Sequence, residues 1–325
     1  RTRNLYPLII ERSTGLVSSS GRLGFIVPIS SISTEGYSAL QEIVFAYEAH
    51  FSSYDDRPSR LFDGLEHTRL SIHLLQADKR RLPRHFATRC HRWNRVERGT
   101  LFQLVRYQGV GLGYLRGSLP KVSSALEESI LRKVWRDKVR LGSQLSGAGR
   151  FRVYYSRKIG YFLQALDFVP GVYDGSGQLR QPSEFVALSL GSPAEACAVV
   201  CVLNSSLFRW YVDVLSDLRH VNRREVEGFP CDLSELLRSH GAQLVQLAET
   251  LRSSLRATSV QREMRFRHDT LKVQCIVPKH SKALIDQIDT VLALHYGLTD
   301  EELDFVVNYD VKYRLGVYDT VGPEQ

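Results

Sequence analysis

Hydrophobic and polar residues change period several times along the chain. In residues 1–16, Leu5, Leu8, Ile9 and Leu16 recur at helical spacing and predict a helix with an apolar stripe, followed by the turn residues SSSG. RLGFIVPIS, residues 22–30, is too short and too rich in β-formers for a helix. Its unbroken apolar run predicts a strand covered on both faces of a parallel sheet. STEGYSALQEIV reads as a helix opened by Ser33 or Thr34. FAYEAHF and RLSIHLLQ then alternate with period two, predicting two strands joined by a short polar turn that holds Phe62. This succession is the far half of an open α/β layer, and it lacks a first half.

Beyond residue 80 the pattern becomes irregular and basic. LPKVSSALEESILRKVWRDKV is its clearest helix, with Ser123 and Ser124 ahead of Glu127 and Glu128 as a capping box. FRVYYSRK and GYFLQALDFV read as strands, and PAEACAVVCVLNSSLFRWYVDVL as helical. Residues 232–257 form an amphipathic helix with Leu233, Leu237, Leu244, Leu247, Leu251 and Leu255 on its apolar face. SKALIDQIDTVLALHYG closes at Gly297, and TDEELDFVVNY opens at Thr299 with Glu302 three residues on. Three segments are expected: an α/β portion at 1–80, a mixed recognition region at 81–274 and an acidic helical tail at 275–325.

With 325 residues, 43% of them hydrophobic, the chain is long enough for about two domains with sizeable cores. No apolar run approaches the roughly 20 residues that span a bilayer, and the N-terminus lacks a signal-peptide pattern, so a soluble intracellular protein is expected. The chain begins at Arg1, which is read as a sign that it is a piece of a longer protein. Five cysteines without a CxxC pair argue against a disulfide framework or a structural zinc site, and Cys197 and Cys201 read as buried helical thiols. His85, Cys90 and His91 lie close together without an evident fourth ligand, so no metal is expected.

Charge sharpens the picture. The chain carries a net +8, yet Lys79 to Lys158 hold 20 Lys or Arg against 4 acids, a local +16 that leaves −8 for the rest. Such a block is the footprint expected of a polyanion binder, although charge runs also serve as plain solvated faces. Two further stretches mix cations with groups able to reach bases or phosphates. SDLRHVNRRE places Arg219, His220, Asn222, Arg223 and Arg224 at a helix end, and YYSRKIGYF combines Tyr154, Tyr155, Arg157, Lys158 and Tyr161. Their alternative use is a buried strand face with solvated arginines.

NLYPLIIERSTGLVSSSGRLGFIVPIS resembles the segment after the catalytic motif of TaqI-like DNA adenine methyltransferases, including the fused type IIG restriction-modification enzymes. LFDGLEHTRLSI resembles that family's turn-and-strand motif. YYSRKIGYFLQALDFVP and VLNSSLFRWYVDVLSDLRHVNRREVEGFP resemble its target-recognition region, and IDTVLALHYGLTDEELDFVVNYDVKYRLG its closing helices. The resemblance implies the C-terminal half of a Rossmann-like methyltransferase sheet, an α+β target-recognition domain and a helical tail. It implies an adenine-N6 methyltransferase of a restriction-modification or phage-defence system in the prokaryotic cytoplasm, acting on double-stranded DNA.

In that family a phenyl ring at the position of Phe62 stacks on an adenine swung out of the duplex, where aromatic faces replace lost stacking. The competing use of Phe62 is to plug the end of a core. Arg60 and Arg69 flank the ring and would meet phosphates, or remain solvated at the surface. The family's Asn/Asp-Pro-Pro-Tyr/Phe tetrapeptide does not occur in this sequence and would lie upstream of Asn4, together with the loop that binds S-adenosyl-L-methionine. QGVGLGYLRG, with Gly109, Gly111, Gly113 and Gly117, does not fit GxGxxG and reads as a loop. This chain alone is therefore expected to lack catalytic and cofactor residues and to need an N-terminal half or a separate subunit. The alternative is a non-catalytic DNA-specificity module serving a separate methyltransferase.

Overall fold

The computed structural model describes residues 4–77, 82–267 and 269–316. Its chain groups into two units, Arg1–Arg132 with Tyr211–His220, and Lys133–Trp210 with Val221–Gln325. Together they make a mixed α/β protein.

The first unit contains helix α1 (Tyr6–Thr14), strand β1 (Arg22–Pro28), helix α2 (Ser38–Val44), and strands β2 (Glu48–Tyr54), β3 (Leu70–Gln76), β4 (His85–His91) and β5 (Gln108–Gly109). Helix α3 (Ala125–Val134) begins in it, with Ser124 Oγ accepting from the Glu127 N–H at 3.2 Å as its cap. The strands form one mixed sheet in the order β1-β3-β2-β4-β5. β3 runs antiparallel to both neighbours, while β4 is parallel to β2. Phe25 and Phe51 both lie opposite His73, which sets the side-chain alternation across three strands. Val27, Phe51 and Leu75 on that face enter a core with Ile10, Ile32, Leu40 and Val44. Burying each such side chain is worth roughly 1.5–3 kcal/mol.

Two expectations change here. β1 is not a doubly covered parallel strand: it lies at the sheet edge, antiparallel to β3, with Arg22, Gly24 and Ile26 exposed. Helix α1 exists, but its stripe faces outward. Leu5, Leu8, Ile9 and Leu16 are exposed, and Pro7 and Ile10 are the buried residues. The boundary expected between residues 80 and 81 lies outside the described residues, and β4 continues the same sheet beyond it by pairing with β2. Gly117, part of the glycine-rich stretch, adopts a positive φ of 72°. Its absent side chain makes room for the Glu35 backbone, since a Cβ there would sit 2.4 Å from the Glu35 Cα.

The segment Tyr211–His220 belongs to this unit through polar anchors. Lys121 is buried and donates three hydrogen bonds, to Ser33 Oγ (3.2 Å), the Val214 carbonyl (2.9 Å) and the Ser216 carbonyl (2.7 Å). Those three bonds match the donor capacity of an ammonium. Ser118 Oγ donates to the Leu215 carbonyl at 2.5 Å.

The second unit has two three-stranded antiparallel sheets. One joins β6 (Phe151–Ser156), β7 (Ala165–Leu166) and β9 (Phe185–Leu190) in the order β7-β6-β9; the other joins β8 (Val172–Tyr173), β10 (Val260–Arg265) and β11 (Thr270–Cys275) in the order β10-β11-β8. Around them lie helices α4 (Pro193–Asn204), α5 (Ser206–Leu215, shared between the units), α6 (Arg223–Glu227), α7 (Leu233–Ala257), α8 (Lys282–Tyr296), α9 (Asp300–Asn308) and α10 (Val311–Arg314). Asp232 caps α7 by accepting from the Ser234 and Glu235 N–H groups. Leu236, not Leu237, completes the buried stripe of that helix. Gly297 ends α8 in a left-handed conformation and Thr299 opens α9 in a capping box with Glu302.

In the region expected to be an acidic helical tail, helix α8 contributes to the core. Ile285, Ile288, Val291 and Leu292 of α8 are buried, and Tyr296 donates to the Pro230 carbonyl at 2.6 Å. Residues 317–325 of that region lie outside the described residues. Cys201 is buried in α4 and Cys197 half-buried, both as free thiols. Among the described residues no single helix is long and apolar enough to cross a membrane.

Candidate nucleic-acid interface

The loop between β2 and β3, residues 55–69, separates two neighbouring apolar side chains. Leu61 is 7% exposed and packs with Tyr54, Leu70, Trp93 and Leu101, whereas Phe62 is 43% exposed. Leu61 therefore fills the core position for which Phe62 was the alternative candidate. A half-exposed phenyl ring contributes little to folding and keeps a free surface for a flat partner.

The backbone ahead of that ring is held by Arg98, from a 3-10 segment at Arg95–Leu104. Its Nη1 donates to the Arg60 carbonyl at 3.0 Å and its Nη2 to the Leu61 carbonyl at 2.6 Å. Arg60 itself pairs with Glu66 across the loop at 2.8 Å and is partly exposed. Gly64 takes a φ of 78° at the tip.

Both loop ends are tied into a buried charge network. Asp55 accepts from Arg69 Nε at 3.1 Å and from Arg92 Nε at 2.8 Å, and Arg92 Nη1 reaches Asp213 Oδ2 at 2.9 Å. Burial would raise the Asp55 carboxyl, but the Arg92 and Arg69 guanidiniums overcome it and hold the group well below the usual carboxylate range. Arg69 Nε also lies 3.0 Å from Asp56 Oδ1, and the Asp56 carboxyl is pushed up by burial and by its hydrogen bond with Asp55. Arg69 is thus an interior strut, 8% exposed, and not the surface cation expected from its place beside Phe62. Two carboxylates within reach hold it inside.

The basic block does not present a single face. Lys121 and Arg92 are buried, and Arg84 pairs with Glu48 at 2.8 Å, Arg116 with Glu35 at 3.2 Å and Lys133 with Glu302 at 2.6 Å. Lys79, at its start, lies outside the described residues. His85 Nε2 contacts the Phe45 carbonyl at 2.9 Å and His91 packs against Tyr54, so both serve the fold.

Of the expected recognition residues, Arg219 and His220 are exposed and belong to the same unit as Phe62. The others fall in the second unit, where the two basic stretches meet: the Val221 N–H donates to the Arg157 carbonyl at 2.9 Å. Arg157 and Lys158 are exposed, and Tyr161 is half-buried. Tyr155 is buried, its hydroxyl pushed up to about 12 chiefly by burial.

Arg223 is exposed, 3.5 Å from Glu227 one helical turn on. Arg224 and Asn222 have other employment. Arg224 Nη2 lies 2.7 Å from the buried Glu225, whose other oxygen accepts from the Asn222 N–H at 2.8 Å in the capping box of α6. In the structure these two residues hold the helix start together.

Arg98, Asp55, Arg92 and Asp213 were not singled out from sequence. They recur at no fixed spacing, and only the fold brings positions 55, 92 and 213 together. No family model matches the chain, and no curated protein sequence matches it.

Proposed function

We propose that this chain is the part of a site-specific DNA adenine-N6 methyltransferase that walls the flipped-base pocket and reads the DNA, with Phe62 stacking on the extruded adenine. The observation that carries this is the division of labour at residues 61 and 62: the aliphatic neighbour seals the core while the phenyl ring stays accessible on a braced loop. An enzyme acting on a base must take it out of the stack, and an accessible aromatic face offsets the lost stacking.

Two further features support the proposal. The outer edge of β1 has no partner strand among the described residues, and Leu8, Ile9, Ile26 and Leu74 expose apolar surface nearby on α1 and the sheet. Upstream sequence would complete the Rossmann-like layer on that side. Arg60, Arg157, Lys158, Arg219, His220 and Arg223 offer accessible groups to a phosphate backbone. Within the glycine-rich stretch Gly117 packs against the Glu35 backbone, which leaves no room for a cofactor at that position, and S-adenosyl-L-methionine is assigned in this proposal to upstream residues.

The test joins the chain to its natural upstream sequence and compares it with Phe62→Ala, using a duplex that carries 2-aminopurine at the target adenine. Loss of methylation together with loss of the fluorescence rise on flipping is expected. Unchanged methylation and fluorescence in the variant would refute the stacking role.

A further inference from the structure

Strand β10 and its partner β11 form a hairpin whose outer strand is exposed at all six positions. The pairing places Arg262 opposite Val273 and Met264 opposite Leu271, so these side chains share one face of the ribbon. Met264 is 40% exposed and Phe266, just past the strand, 59%. Such a row of large apolar groups on an open edge strand is a liability unless it has a partner.

The face borders a cleft of about 570 Å3 in the second unit. Phe162 and Phe185 line it along with Phe266 and Met264, and the size is within the ordinary range for a small-ligand pocket. Three cations, Lys158, Arg180 and Arg262, line it against one carboxylate among the described lining residues, Glu184. Arg180 is committed to Asp174 at 2.7 Å, whereas neither Lys158 nor Arg262 takes part in an ion pair among the described residues. Three aromatic rings with two uncommitted cations are the complement of a flat apolar ring that carries a negative group. An extended apolar peptide would leave both cations unused.

Building on the DNA-binding function proposed above, we infer that this cleft binds an unstacked nucleobase of the DNA, with Phe266 as its stacking surface and Lys158 and Arg262 on the adjoining phosphate. Aromatic side chains serve bases of any sequence in this way, and the cations follow the backbone. The cleft is lined by the second unit, and the Phe62 loop belongs to the first.

Fluorescence titration of the full chain tests this with a single-stranded oligodeoxynucleotide containing 2-aminopurine and, in parallel, with a duplex. Because Phe266, Lys158 and Arg262 are exposed, Phe266→Ala, Lys158→Gln and Arg262→Gln leave the fold intact. Phe266→Ala is expected to weaken single-strand binding about tenfold, abolish the quenching caused by stacking and leave the salt slope unchanged. Arg262→Gln and Lys158→Gln should each lower the slope of log affinity against log salt by about one. Wild-type single-strand binding by all three variants, or displacement from the cleft by an apolar peptide and not by the oligonucleotide, overturns the inference while duplex binding persists. If the unaltered chain shows no salt-dependent duplex binding, the proposed function falls as well.

Discussion

Arg98 donates to the Leu61 carbonyl at 2.6 Å and to the Arg60 carbonyl at 3.0 Å, so one guanidinium fixes the two peptide groups that precede Phe62. Asp55 anchors the start of the loop through Arg92, and Arg69 anchors its end through Asp55. The accessible ring is therefore carried on backbone tied at three places, a condition for presenting it to a ligand without a large ordering cost.

On the proposed function, Arg98→Ala is expected to lower the flipping signal and methylation by about ten- to a hundredfold, because small misplacements of a positioning group have effects of that order. Arg98→Lys, which can hold one carbonyl but not two in a fork, should recover part of the loss. Far-UV circular dichroism should not change in either variant. An unchanged methylation rate in Arg98→Ala would remove the positioning role.

Leu61 and Phe62 should separate stability from function. Leu61→Ala opens a cavity beside Trp93 and Tyr54 and is expected to cost about 2–5 kcal/mol in urea unfolding. Phe62→Ala removes a half-exposed ring and should cost no more than about 1 kcal/mol. Equal losses in the two variants would mean that Phe62 belongs to the core after all.

Lys121→Ala leaves three buried acceptors, at Ser33, Val214 and Ser216, without their donor. A loss of about 3 kcal/mol or more is expected from the unmet hydrogen bonds, read as a lower urea midpoint. Proteolysis should show early cleavage within residues 211–220, which this ammonium and Arg92 tie down.

Asp289 gives the second unit a pH dependence. Burial pushes its carboxyl up to about 7, against hydrogen bonds from the Ser206 and Leu207 N–H groups, from an ordinary value of 3.8. Between those values the folded chain keeps a proton that the unfolded chain has released. Folding is therefore favoured on the acid side, and stability falls as pH rises from about 4 to about 7 before levelling. A melting temperature followed over that interval should decline, and Asp289→Asn should flatten the decline.

Local signals identified many elements. Thr299 with Glu302, Gly297 after α8 and Ser124 with Glu127 are end markers that act within one turn, and the structure uses each as such. The period-two runs before and after Phe62 became β2 and β3, since alternation reports directly which face is covered. β1 shows the limit of such signals. Its apolar run does not reveal whether the neighbouring strand is parallel or antiparallel, or whether a second layer covers it.

Sequence by itself therefore determined the mixed α/β character, the strands β1, β2, β3 and β6 and the longer helices, the concentration of basic residues and the presence of an aromatic ring in the loop before β3. Tertiary structure decided which of Leu61 and Phe62 is buried, which arginines are struts and which face solvent, and that residues 211–220 join the first unit. The physical reason is range. Periodicity and caps are settled among residues a few positions apart, whereas burial and ion pairing depend on groups such as Asp55, Arg92 and Asp213 that only the folded chain assembles.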